Sequence, residues 1–197
     1  MKLTLAQLKQ AVIGATDAEA AKFLEPMNET LAKYNINTPL RVAHFLAQLG
    51  HESCGFDAVR EYASGAAYEG RKALGNVVAG DGVKYKGRGL IQITGRTNYG
   101  AVGKAFGVDF LANPALLESP KYAVLSAGWF WNDRGLNALA DANKFDTITR
   151  RINGGINGYD DRLKRFVKAC AALGILTTGE PHERMYAASA QNPTKSV

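Results

Sequence analysis

The sequence lacks an uninterrupted apolar run of about eighteen residues, the length a membrane-spanning helix needs, so stable membrane insertion is not expected. The opening stretch, MKLTLAQLKQAVIGATDAE, alternates polar and apolar residues at helical spacing. It holds no continuous apolar block of the kind a Sec signal peptide carries, so export is expected by a route other than a cleavable signal. Cysteine is scarce. Cys54 and Cys170 are too few for a disulfide framework and read as free, reduced thiols, with Cys54 a small packed side chain. His51-Glu52 starts an H-E-x-x-H pattern, but position 55 is glycine, so the second zinc-binding histidine is missing and no metal or other cofactor is expected. GDGVKYKGRG lacks P-loop spacing. No recognition helix, RNA motif, internal repeat or low-complexity tract is found, so nucleic acid is not an expected partner.

What is present suits one folded unit. The chain has 197 residues, 46% hydrophobic and 21% charged, enough apolar material for a sizeable core. A net charge of +6 favours polyanionic partners, among them an acidic cell-wall polymer. Helix-start signals recur. TDAE at Thr16 is a capping box, and Thr38 with Pro39 marks another helix start. Asn113 and Ser119 stand before two more, while Gly135 and Gly174 read as helix stops. Helices are expected at 3–13, 17–34, 39–52, 120–134 and 159–173, with a shorter one near 97–106. Residues 53–89 show little periodicity and read as long functional loops, with at most a small hairpin. GLIQIT, residues 89–94, reads as a strand or an extended buried segment. A single domain is expected over 1–176, followed by a polar tail over 177–197.

The helix at 39–52 raises a chemical question. Val42, Phe45, Leu46 and Leu49 form one apolar stripe, and Glu52 continues it at the C-terminal end. The negative end of the helix dipole and apolar neighbours both disfavour a carboxylate there. A carboxylic acid kept neutral is what a general acid requires. The competing reading is a last-turn residue paired with a lysine or arginine. Glu61 and Glu69 follow in the irregular segment, where a chain can fold back over a helix end. A protonated acid facing an ionised carboxylate is the arrangement that hydrolyses glycosidic bonds.

A second constellation, YKGRGLIQITGRTNYG, runs from Tyr85 to Gly100. Its glycines permit close backbone approach. Gln92, Thr94 and Asn98 alternate with apolar residues, and tyrosines such as Tyr85 lie nearby. Such a wall suits a sugar polymer, which shows both hydroxyls and apolar ring faces; the competing reading is an ordinary glycine-rich turn. A third, RRINGGINGYDDR, places a tight turn at Asn153 and opens a helix at Arg162. The tryptophans of WFWNDRG read as core rather than as a sugar platform.

HES-x-GF, YKGRGLIQITGRTNYG and RINGG-x-NG-x-x-DR together resemble the family 19 glycoside hydrolases, which include plant chitinases and many bacteriophage endolysins; the resemblance spans roughly residues 40–170. It implies a mainly helical, lysozyme-like α+β fold with two lobes, a substrate cleft and a small hairpin or loop region. It also implies an inverting mechanism. By position, Glu52 is the general acid and Glu61 the general base, with Glu69 the alternative base. Thr94 helps hold the attacking water. Gln92, Asn98, Asn153 and Arg162 line the cleft, and Tyr85 is a further candidate for substrate binding. Thr97 stands where plant chitinases have a tyrosine and Leu125 where they have a cleft lysine, which directs expectation away from chitin. The expected function is therefore that of an endolysin: a monomeric muramidase that cleaves the β-1,4 glycan strand of peptidoglycan. It would be held in the host cytoplasm until released to the periplasm and wall. A bacterial chitinase and a non-catalytic wall-binding protein are the alternatives.

Overall fold

The computed structural model describes residues 1–175. The expected tail, 177–197, lies outside the described residues. The chain is mainly helical, and its helix starts follow the signals in the sequence. α1 (Leu5–Ala11) and α2 (Asp17–Lys33) each begin with a reciprocal capping box, Thr4 with Gln7 and Thr16 with Glu19. α3 (Pro39–Glu52) starts at Thr38, whose hydroxyl accepts from the Arg41 backbone N–H at 3.2 Å. Its stripe of Val42, Phe45, Leu46 and Leu49 is almost wholly excluded from solvent. Burying one such side chain stabilises the fold by about 1.5–3 kcal/mol, so this face anchors the molecule.

After a short α4 (Asp81–Lys84) and α5 (Arg96–Phe106), the chain forms α6 (Pro120–Asp133), α7 (Leu136–Asp141), α8 (Phe145–Asn153) and α9 (Tyr159–Ala172). α3 packs most extensively on α9, and α2 on α6. Glycine makes the second contact possible, because a Cβ at Gly128 of α6 would collide with Thr30 and Tyr34. Phe45 of α3 meets Trp131 of α6 edge to face, with ring centroids 5.3 Å apart, which ties the two helix pairs into one core.

Three expectations need correction. α4 and α7 carry no amphipathic signal long enough to see, because each spans fewer than two turns. GLIQIT is a tight turn rather than a strand. Arg88 and Ile93 exchange backbone hydrogen bonds at 3.1 and 2.8 Å, and Gln92 closes onto Gly89 at 3.1 Å with a left-handed φ of 55°. Together with a bridge between Arg60 and Arg88, this is the small hairpin region in its shortest form. Cys54 is exposed, not packed, whereas Cys170 is buried; both are free. Burial pushes the Cys170 thiol up to about 12.

Candidate active site

Glu52 ends the apolar stripe of α3, but its environment is not the apolar pocket expected from the sequence. The Arg162 guanidinium lies beneath it and donates from Nη2 to Oε1 at 2.5 Å. Arg162 is only 1% exposed, so it holds the acid from below and does not line the groove, contrary to expectation. Its other donors are also committed. Nη1 bonds Gln48 Oε1 at 2.6 Å, and Nε bonds the Asn157 carbonyl at 3.2 Å. Gln48, one turn before Glu52, donates in turn to Thr149 Oγ1 at 3.2 Å. A buried charge needs this degree of satisfaction. The close approach of α9 to the end of α3 depends on Gly158, where a Cβ would strike the His51 ring. His51 and Arg165 both bond Asp161, at 2.7 Å each. Burial raises the Asp161 carboxyl, but the hydrogen bonds and positive charges of Arg165 and His51 together outweigh it and hold it below its ordinary range.

Glu52 opens onto a groove of about 400 Å³. Thr94, Asn98 and Asn153 line it. The Thr94 hydroxyl donates to the Gln92 carbonyl at 2.9 Å, so its oxygen is left to accept. Asn98 donates to the Thr94 carbonyl at 2.7 Å. Asn153 keeps a buried Nδ2 with no partner among the described residues. Gln92 also lines the groove, yet its amide N–H groups are spent on the carbonyls of Ala58 and Gly89, at 3.2 and 2.9 Å. It braces the wall. Tyr85 belongs to the core: it is 1% exposed, packs on the Tyr99 ring at 5.2 Å and donates to the Leu111 carbonyl. A buried tyrosine with a satisfied hydroxyl and a sugar-binding tyrosine are identical in sequence.

The apolar side of the groove comes from residues the sequence did not single out. Trp129 and Phe130 of α6 line the groove while packing half-buried against the core, and Trp131 beside them is wholly core, so the core reading holds in full for Trp131 and in part for Trp129. Tyr68 is the other omission. It lines the groove and donates its hydroxyl to Glu61 Oε1 at 2.9 Å. Burial, and then the bond to Glu61, raises the phenol above its ordinary value, so it stays a donor.

Glu61 is thus reached from the groove through Tyr68. Its Oε2 accepts the Gly87 backbone N–H at 3.0 Å, and its own backbone N–H bonds the Gly87 carbonyl. It faces a second cavity of about 350 Å³. Glu69, the alternative base, is a loop staple. Its two oxygens accept the N–H groups of Gly80 and Gly82, at 2.7 and 2.8 Å, and it lines neither cavity. Among the described residues, no group of three or more His, Cys, Asp or Glu could hold a metal ion.

The profile of glycoside hydrolase family 19, described as chitinase class I, matches residues 19–137. The chain belongs to glycoside hydrolase family 19. A Haemophilus influenzae protein named for a family 19 domain is 35% identical over 158 residues, covering 64% of this chain and 77% of that protein. An Arabidopsis thaliana endochitinase is 36% identical over 174 residues, covering 85% of this chain but only 56% of the plant protein. The chain therefore spans little more than half of its plant relative. Among solved structures, chitinase C from Streptomyces griseus superposes with a TM-score of 0.71 at 25% identity, covering 90% of this chain and 78% of that one. The class IV chitinase from Zea mays gives 0.65 at 25% identity, with coverage of 88% and 91%. The fold is the mainly helical one expected, and the protein is a glycoside hydrolase.

Proposed function

We propose that this family 19 enzyme cleaves the β-1,4 glycan strand of peptidoglycan by inversion, as a lytic muramidase. One observation carries the reading: Glu52 is fixed at the edge of a groove whose walls combine amides, a hydroxyl and aromatic rings. Arg162 engages Oε1, so Oε2 is the oxygen left to carry the proton. Glu52 gives that proton to the glycosidic oxygen as the bond from the anomeric carbon breaks. Glu61 lines the adjoining cavity rather than the groove, so to serve as base it takes a proton from a water that reaches it past Tyr68 and attacks the opposite face, with the Thr94 oxygen accepting that water's other hydrogen. Inversion requires the two carboxyl groups to stand about 6.5–9.5 Å apart. The net charge of +6 suits an acidic wall. The same reading holds the enzyme in the host cytoplasm until a separate pore releases it, and has it act as a monomer.

Hydrolysis of an N-acetylglucosamine polymer is the second reading, favoured because curated relatives are named endochitinases. Mass analysis of fragments from purified wall decides between them. New N-acetylmuramic acid reducing ends support the first reading. Activity on chitin oligomers with none on wall supports the second. Glu52→Gln is expected to lower the rate on the true substrate by about a hundred- to ten-thousandfold, and also to lower thermal stability because it leaves the buried Arg162 guanidinium without its carboxylate. A Glu52→Gln protein that still lyses cells would contradict the mechanism.

A further inference from the structure

The cavity beyond Glu61 differs in kind from the groove. Glu52 is the one charged residue on the groove wall, whereas Asp57, Arg60, Glu61, Lys86 and Glu118 all line the second cavity. Their charges are unevenly answered. Asp57 accepts the Tyr62 hydroxyl at 2.7 Å, Glu118 accepts Arg88 Nε at 2.7 Å, and Glu61 accepts Tyr68 and Gly87. The three acids therefore have donors. The cations do not have acceptors of opposite charge. Lys86 Nζ makes one hydrogen bond, to the neutral Ala63 carbonyl at 2.9 Å. The Arg60 side chain has no hydrogen-bond or ion-pair partner among the described residues, although its backbone is fixed by the bridge to Arg88.

The cavity is also adjacent to the reaction. Gln92, on the groove wall, donates to the carbonyl of Ala58, which lines the cavity. Gln92 and Glu61 converge on Gly87, where a Cβ would lie 2.7 Å from Gln92 Oε1 and 3.3 Å from Glu61 Oε2. The two spaces meet along this wall. Arg60 is exposed and lines the same cavity as Glu61, so it is accessible to a group borne by a sugar that reaches Glu61.

We propose that Arg60, assisted by Lys86, receives a carboxylate borne by the glycan itself. The ligand class is the acidic peptide that peptidoglycan carries on alternate sugars and that a plain N-acetylglucosamine polymer lacks. The planar guanidinium fork matches a carboxylate in a way that a lysine ammonium does not. This assignment rests on the peptidoglycan reading, and it gives that reading a residue that selects between the two polymers.

The test compares wild type and Arg60→Gln on two soluble oligomers of equal sugar length, one carrying acidic peptide stems and one of N-acetylglucosamine alone. Losing one charge-assisted hydrogen bond should lower kcat/KM on the acidic oligomer about tenfold, chiefly through KM. On the neutral oligomer the change should stay below about twofold, which also shows that the variant is folded. Arg60→Lys should recover part of the loss, and added salt should erode the wild-type preference. Equal losses on both oligomers, or no loss on either, would overturn the Arg60 assignment alone. A wild-type enzyme that cuts only the neutral oligomer would overturn both it and the peptidoglycan reading.

Discussion

Glu52 and Glu61 are neighbours in the chain but are held by different kinds of structure. Glu52 ends a helix and is fixed by a side chain 110 positions away, Arg162, through the packing of α3 on α9. Glu61 sits in a loop and is fixed by local groups, the Tyr68 hydroxyl and the Gly87 backbone N–H. The helical side belongs to the core, so disturbing it costs stability as well as rate. The loop side adds little buried apolar area, and Tyr62, Val77, Val78 and Val83 are exposed there. Disturbing Glu61 there should cost rate alone. An acid and a base can in this way be tuned separately, one by the fold and one by a loop.

The largest expected effect tests the loop side. Glu61→Gln should lower turnover by about a hundred- to ten-thousandfold with an unchanged unfolding midpoint. Glu69→Gln should cost about 1 kcal/mol of stability, from weakened bonds to Gly80 and Gly82, and leave most activity. If Glu61→Gln is nearly silent and Glu69→Gln is inactive, the base has been misassigned. The helical side should respond in the opposite manner. Arg162→Met leaves Glu52 without its partner and should cost about 3 kcal/mol in denaturant unfolding together with activity. An Arg162→Met protein with wild-type stability would break the comparison.

Acid should separate the two regions more gently. On α3, burial lowers His44 from 6.5 to about 4, against the bond that its ring donates to Asn143 Oδ1. Its folded pKa lies below its unfolded one, so stability is full above about 6.5 and declines as pH falls toward 4, while the unfolded chain alone gains the proton. In the loop, hydrogen bonds from Arg96 lead in lowering Asp81 from 3.8 to about 2. Its contribution is present above 3.8 and is lost as pH falls toward 2. Unfolding midpoints followed against pH should flatten in the upper window for His44→Gln and in the lower window for Asp81→Asn. The smallest effect concerns the water. Thr94→Ser should keep most activity, whereas Thr94→Val should lose about tenfold in kcat, as expected for one hydrogen bond.

The helical half was legible because its signals are local and periodic. The stripe from Val42 to Leu49 and the Thr38 cap fix both α3 and the direction in which Glu52 projects. Gln48 was missed, although a residue one turn before Glu52 shares its face. What lies against that face was not legible. Whether Arg162 lines the groove or supports the acid depends on how α9 rotates against α3, a tertiary choice that no local pattern records. Tyr85 was misread, and Trp129 in part, for a related reason, because an aromatic residue next to a motif suits a core and a sugar wall equally well. In residues 53–89 the glycines announced turns, but Glu69 is held by backbone N–H groups and Glu61 by one more beside the Tyr68 hydroxyl, and sequence does not distinguish one backbone N–H from another.

The account stands on two carboxylates acting from opposite faces of the sugar. Proton NMR of the reducing end during the first moments of cleavage reads this directly. The α-anomer should appear first and then mutarotate. Initial release of the β-anomer would mean retention, and would contradict the roles given to Glu52 and Glu61.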